Sequence, residues 1–447
     1  MKTIRRTVNG NSRVARQVAS DARGAAQGAL CLPHASSMTV HHASPKTCSS
    51  LLVFLPLLLC LVGLVFLVSV SIGGILKPNM PPASPLEPFR PVIQQACWVL
   101  LGVGIMLTLS RIPLSFYQAS AWLWLMLLSM VLIALWKVPG LGTERNGAVR
   151  WIEFSVPLLG RVGVQPSELF KLATLLYFAA LYSQITPSRR TRRLPASTWL
   201  YGQNIPSSYR VAWGKGAYCI VALWLVALVA IERQPDFGTM VLVFALGVGV
   251  SFLGGASVFK IAALGLLAML GFTAWVALPH LTGVDQHRTG YRLERIRAML
   301  DPWAYEYDRG FQMVRAQIAV GSGGFARLAL GEGREKRYLP AAENDYIFAT
   351  IAEETGFVGC ALCIGLFAWL VATLLSLASR APTRFGRLFA GGLALWIGLQ
   401  ALINIGMAIG LLPTVGVPLP FISAGGSSML SLMAALGIAL AIARETR

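Results

Sequence analysis

The chain has 447 residues, 55% of them hydrophobic and 13% charged, with a formal net charge of +19. A charged share about half that of ordinary soluble domains excludes a water-soluble enzyme and makes a bilayer the expected solvent. Seven cysteines and five histidines follow no disulfide or zinc spacing, so a stapled scaffold and a zinc module are excluded as well.

Residues 1–48 read as a disordered, basic cytoplasmic tail. The first fifty residues hold Lys2, Arg5, Arg6, Arg13, Arg16, Arg23 and Lys46 against one acid, Asp21. These bases are scattered among Ala, Ser and Val with no aromatic residue for stacking, which argues against a nucleic-acid partner. The segment is also too long and too poorly patterned for a cleaved signal.

Residues 49–447 read as one transmembrane domain. Apolar runs of about twenty residues are long enough to cross a bilayer as helices. Ten spans are expected, at 51–75, 91–110, 116–136, 167–184, 216–232, 237–255, 258–280, 346–377, 388–410 and 425–443. Leu388–Ala443 carries no charge over 56 residues, too long for one crossing, and Pro413, Gly416, Pro418 and Pro420 divide it in two. The expected fold class is therefore all-α, a polytopic membrane protein with ten transmembrane helices and one large extracytoplasmic loop, 281–345.

Orientation follows from Lys and Arg. With the N-terminus inside, ten crossings return the C-terminus to the same side. The inward loops then hold Arg111, Arg189, Arg190, Arg192, Arg193, Arg210, Lys215, Lys260, Arg380, Arg384, Arg387, Arg444 and Arg447, with no acid before Glu445. This places 281–345 outside. That loop concentrates ten Lys/Arg and nine of the chain's nineteen acids, and it ends in Asn344-Asp345-Tyr346 where the next helix must start.

Four further polar segments fall on the outer side: Asn146-Gly-Ala-Val-Arg150-Trp151, Gln165-Pro-Ser-Glu168 with Lys171, Gln234-Pro-Asp236-Phe-Gly-Thr239, and Leu412-Pro-Thr to Ser428. Each has a structural reading. Glu168 and Lys171, spaced i, i+3, can neutralise each other. Asp236 can cap span six and Asp345 span eight. Asn404 in span nine reads as an interhelical hydrogen bonder, and one of Glu353 and Glu354 is expected to line a cavity. Taken together, Arg150, Glu168, Lys171 and Asp236 are ionisable groups at one membrane boundary, a pattern that points to a polar recess.

With these segments in this order, residues 51–445 resemble the SEDS family of bacterial peptidoglycan polymerases. Further landmarks are Asp301-Pro-Trp303, Gly310-Phe-Gln312, Tyr338-Leu-Pro340, Asp345-Tyr-Ile-Phe-Ala349 and Glu353-Glu354. The chain departs from the family at Glu343-Asn344, where members read His-Thr, at Ala424, where they often read Tyr, and in the middle of the loop, Arg327 to Gly333. The resemblance implies glycan polymerisation from lipid II, with Asp345 as the catalytic carboxylate. It also implies a substrate-binding set of Arg150, Gln165, Glu168, Lys171, Asp236, Arg292, Arg295, Gln312, Lys336 and Ser427.

Such a reaction needs a base for the attacking hydroxyl and cations for the departing pyrophosphate, and Asp345 and the loop arginines supply both residue types. No nucleotide-binding motif occurs. No tightly bound cofactor is expected, and a divalent cation is left open. Lipid II, a class B penicillin-binding protein transpeptidase, the divisome and the membrane are the implied partners. The division type is favoured over the elongation type by Asp236-Phe-Gly-Thr239 and the basic tail. A lipid II flippase is the alternative, although it would place polar groups through the membrane midplane rather than at one end.

Overall fold

The computed structural model describes residues 45–75, 87–138, 140–145, 148–156, 160–184, 215–259, 261–263, 265–266, 297, 299–308, 310–340 and 342–446. Ten α-helices are assigned among the described residues: α1 (Pro45–Ile75), α2 (Arg90–Leu109), α3 (Leu114–Lys137), α4 (Pro166–Ser183), α5 (Lys215–Arg233), α6 (Phe237–Leu253), α7 (Phe311–Ser322), α8 (Ile347–Arg380), α9 (Arg384–Ala408) and α10 (Gly426–Glu445). Seven helical stretches are long and apolar enough to cross a membrane, and α6 is a shorter apolar helix. The chain is a polytopic helical membrane protein. Nine of the ten expected spans coincide with helices, while most of 258–280 lies outside the described residues, as do residues 1–44.

Burial sorts the helices. In the membrane-crossing stretches of α10 and α9, 89% and 67% of residues are buried, against 17% for α2, so α9 and α10 form the centre. Ala434, Ala435, Gly437, Ala439 and Ala441 make α10 a slender post that neighbours can approach closely. Helix α4 is buried along nearly its whole length and packs on α3, α6, α9 and α10.

Three features add to the plain spans and loops expected of the helical bundle. Between α3 and α4 lies a three-stranded antiparallel sheet, β1 (Thr143–Arg145), β2 (Ala148–Val156) and β3 (Gly160–Val164). Ile152 pairs with Val164, and β3 runs straight into Gln165 at the start of α4. The polar loop contains α7, which packs on α8.

Span eight is also two helices joined at Gly356, whose φ of 68° is open to glycine and costly for other residues. A helix broken near a membrane leaves backbone groups that must be satisfied. Here the loop satisfies them. The N–H groups of Phe357 and Val358 donate to the carbonyls of Gly324 and Phe325 at 2.9 and 3.1 Å. The carbonyls of Glu354 and Thr355 accept from Ala329 and Arg327 at 3.0 and 3.3 Å. The loop is thus stitched into the break.

Candidate active site

The start of α4 holds the first cluster. The backbone N–H of Gln165 donates to Ser427 Oγ at 2.9 Å, joining α4 to the first turn of α10. The Gln165 amide donates to Asp236 Oδ2 at 2.7 Å. The other carboxylate oxygen of Asp236 accepts from the Thr239 N–H at 3.3 Å, so this residue caps α6 as well as binding Gln165. Burial pushes the Asp236 carboxyl above its ordinary pKa, against the opposing pull of the Arg150 guanidinium.

Arg150 is tied to backbone oxygens in this arrangement. Its Nε donates to the Gln234 carbonyl at 2.6 Å and its Nη2 to the Pro235 carbonyl, so its fork holds the α5–α6 turn in place behind Asp236. The resemblance placed this residue in the substrate-binding set. Arg150 spends two donors on backbone oxygens, as a planar guanidinium does where paired carbonyls present themselves.

Glu168 and Lys171 form a buried ion pair of 2.7 Å, with side chains 4% and 0% exposed. The lysine also donates to Gln400 Oε1 at 3.2 Å and lies 5.6 Å from the centre of the Trp396 ring. Gln400 accepts from Trp396 Nε1 at 2.8 Å and donates to the Pro418 carbonyl at 2.9 Å. One helical turn further along α9, Asn404 Nδ2 donates to the carbonyls of Asp345 and Val417, both at 2.8 Å.

Asp345 therefore has its backbone tied to the Val415–Pro418 segment. It is half-buried in the turn leading into α8, and the cap position falls one residue later, on Tyr346. Its carboxylate lies beside Gly416, where an added Cβ would stand 3.5 Å from Oδ2. The same segment meets α6, because a Cβ on Gly238 would collide with the Val415 carbonyl oxygen and stand 2.8 Å from Val417 Cγ2. The segment Val415–Pro418 is thus a shared wall. The Asp345 turn and the start of α6 behind Asp236 both abut it, and Lys171 reaches it through Gln400.

That wall explains the glycine of Asp236-Phe-Gly-Thr239. Gly238→Ala is expected to cost about 1–3 kcal/mol, as overpacking against rigid backbone does. A lower apparent Tm of the purified protein would register it, and an unchanged Tm would mean that the two segments are not in contact.

Lys336, expected among the phosphate-holding bases, is sealed away instead. Its Nζ is 2.6 Å from Glu354 Oε1, both side chains are fully buried, and it also donates to Ser69 Oγ of α1 at 2.7 Å. Glu353 Oε1 accepts from the N–H groups of Arg334 and Glu335 at 2.5 and 3.0 Å. Both glutamates thus serve the loop, where one was expected to line a cavity. Gln312, on α7, is half-buried. Arg292 and Arg295 lie outside the described residues. Arg315 keeps a looser pairing, 3.4 Å from Glu335, and rests against the rings of Phe311 and Tyr338. Among the described residues no three His, Cys, Asp or Glu side chains gather as a metal-binding group.

The sequence reading passed over Gln400 altogether. Its signal was present, because Gln400 and Asn404 are polar, spaced i, i+4 and therefore on one face of a helix that is otherwise apolar beyond Arg387.

A helical membrane bundle with buried, cross-linked polar groups gathered at one end defines the class: a polytopic membrane protein with its polar machinery at a single boundary. The chain belongs to the cell cycle protein family that groups FtsW, RodA and SpoVE, whose model matches residues 49–447. It is 35% identical over 393 residues to the probable peptidoglycan glycosyltransferase FtsW of Thioalkalivibrio sulfidiphilus, covering 86% of each chain. The corresponding protein of Aromatoleum aromaticum is 36% identical over 361 residues, 80% of this chain and 79% of that one. Among solved structures, a chain from a peptidoglycan synthase complex that coordinates polymerization and crosslinking aligns with a TM-score of 0.64 and 26% identity, covering 88% of this chain and 97% of its own. The rod shape determining protein RodA of Thermus thermophilus shares the fold, with a TM-score of 0.55, 24% identity and coverage of 88% and 95%.

Proposed function

We propose that the chain is a peptidoglycan glycosyltransferase that polymerises lipid II into glycan strands, with Asp345 as general base. The observation that carries this reading is the fixed position of Asp345: its backbone is bound by Asn404, and its carboxylate lies against the same loop wall that α6 abuts. In the reaction Asp345 takes the proton of the acceptor sugar's 4-hydroxyl as that oxygen bonds to the anomeric carbon of the donor. The donor's bond to oxygen breaks, and undecaprenyl pyrophosphate leaves with the electron pair. With Lys336 and Arg150 committed elsewhere, the developing pyrophosphate charge falls to Arg315 and to the loop bases Arg292 and Arg295.

The alternative of a lipid II flippase fits the charge distribution less well. Glu168, Lys171, Glu232, Asp236, Lys336, Glu353 and Glu354 are the buried acidic and basic side chains among the described residues, and all belong to the site's end of the bundle. At the other end Arg384 donates to the Gly254 carbonyl and Arg444 to the Ser110 carbonyl, both at 3.0 Å. That asymmetry supports an inner-membrane orientation with the arginine end cytoplasmic and the site outside. The similarity to FtsW proteins supports a role in septal synthesis beside a class B penicillin-binding protein and other divisome members.

Detergent micelles have no leaflets, so flipping leaves no product there. Purified protein given fluorescent lipid II in detergent is expected to yield a ladder of glycan strands. Absence of any ladder, with translocation in vesicles intact, would support the flippase instead.

Asn404 acts as a positioning residue in this scheme. Asn404→Leu keeps volume but frees the carbonyls of Asp345 and Val417, each costing about 1–3 kcal/mol if left unpaired. A shift of about 1 Å in a catalytic group costs on the order of 10²-fold. Strand synthesis by this variant is expected to fall by about that factor, mainly in kcat. Wild-type turnover would remove Asn404 from the machinery.

A further inference from the structure

The loop segment between the α8 break and Lys336 exposes more apolar surface than a solvated loop should. Phe325 is 76% exposed and Leu328 82%, with the exposed Arg327 between them, paired at 3.7 Å with Glu332, and the exposed Arg334 beyond. Large apolar side chains interspersed with charged ones are at home where hydrocarbon meets headgroups.

Two anchors set the height of this segment. The continuous helix from Phe357 to Arg380 is about 36 Å long at the rise of an α-helix, enough to cross a hydrocarbon core of about 30 Å. Arg380 closes one end with a charge, which leaves Phe357 at the opposite interface. The segment is fastened there by the backbone hydrogen bonds of Gly324, Phe325, Arg327 and Ala329 to residues 354–358. The second anchor is α1, whose crossing stretch ends at Gly73. Lys336 reaches Ser69 one turn before that end, and its side chain lies against Gly73. Both ends of the segment are thus held at the boundary of the bundle.

Phe325 also stacks on Phe357, with ring centres 5.9 Å apart and an interplanar angle of 20°. Phe357 is 63% exposed and Leu362, further along the same helix, 67%. The loop therefore extends the exposed apolar side of a membrane-crossing helix.

We infer that Phe325–Leu330 is a fixed lipid-facing wedge, seated in the interfacial region of the leaflet on the site's side of the bundle. Its occupant is the bilayer itself, because the exposed surface is continuous with the flank of α8 and is pinned at that level from both ends. The wedge gives the loop that carries Arg315 and leads to Asp345 a set height above the lipid.

The test is site-specific photo-crosslinking. A benzophenone amino acid replaces Phe325 or Leu328, and Asp308, exposed elsewhere in the loop, as control. The full-length protein is reconstituted in vesicles of phosphatidylethanolamine and phosphatidylglycerol and irradiated. Phospholipid adducts at 325 and 328, about tenfold above the control, are expected. Adducts no more frequent than at 308, or crosslinks to a second copy of the chain in place of lipid, would overturn the inference.

Discussion

Glu354→Ala is expected to cost the protein about 3–5 kcal/mol, the usual consequence of leaving one member of a buried ion pair alone. The pair with Lys336 measures 2.6 Å with both side chains at 0% exposure, and Ser69 bridges it, donating to Glu354 at 2.5 Å. Removing the acid strands an ammonium inside a fully buried junction of α1, α8 and the loop. Lys336→Met should cost a similar amount by stranding the carboxylate. Replacing both together, Lys336→Met with Glu354→Leu, removes both desolvation penalties and should recover most of the loss. Chemical or thermal unfolding of the purified variants checks the sign and the non-additivity. If each single variant unfolds like the wild type, the junction does not hold the loop.

The helices were legible in the sequence because a bilayer requires about twenty apolar residues per crossing and the chain pays little regard to anything else there. Leu51–Leu76 or Ile112–Trp136 can hardly be read otherwise. The sheet was missed because Ala148–Val156 mixes Arg150 and Glu153 with Trp151, Ile152 and Phe154, so no face is uniformly apolar. The break in α8 rests on one glycine inside an apolar run, and glycine is common in membrane helices, so Gly356 gave no signal by itself.

At the site, the cluster of Gln165, Glu168, Lys171 and Asp236 could be inferred from parity, since helices entering from one side begin at one level. The fate of each charge could not. Lys336 and Arg150 look like phosphate ligands in a list of bases, but their partners, Glu354 and two backbone carbonyls, are fixed only by the folded chain.

The second large effect concerns Asp345. Asp345→Asn keeps the size and hydrogen-bonding capacity of the side chain and leaves the backbone carbonyl that Asn404 holds. It removes only the basic oxygen. General bases contribute on the order of 10²–10⁴-fold, so strand synthesis should fall by that much while the protein inserts, purifies and melts as the wild type does.

Asn404→Leu differs in kind, since it moves the carboxylate without abolishing it, and should retain part of the activity. The two variants together therefore separate chemistry from placement. The direct measurement is the rate of glycan formation from lipid II by purified wild type and Asp345→Asn, side by side, each with its Tm recorded. The account requires an equal Tm and a rate lower by at least about 10²; a well-folded Asp345→Asn protein that polymerises lipid II at the wild-type rate would contradict it.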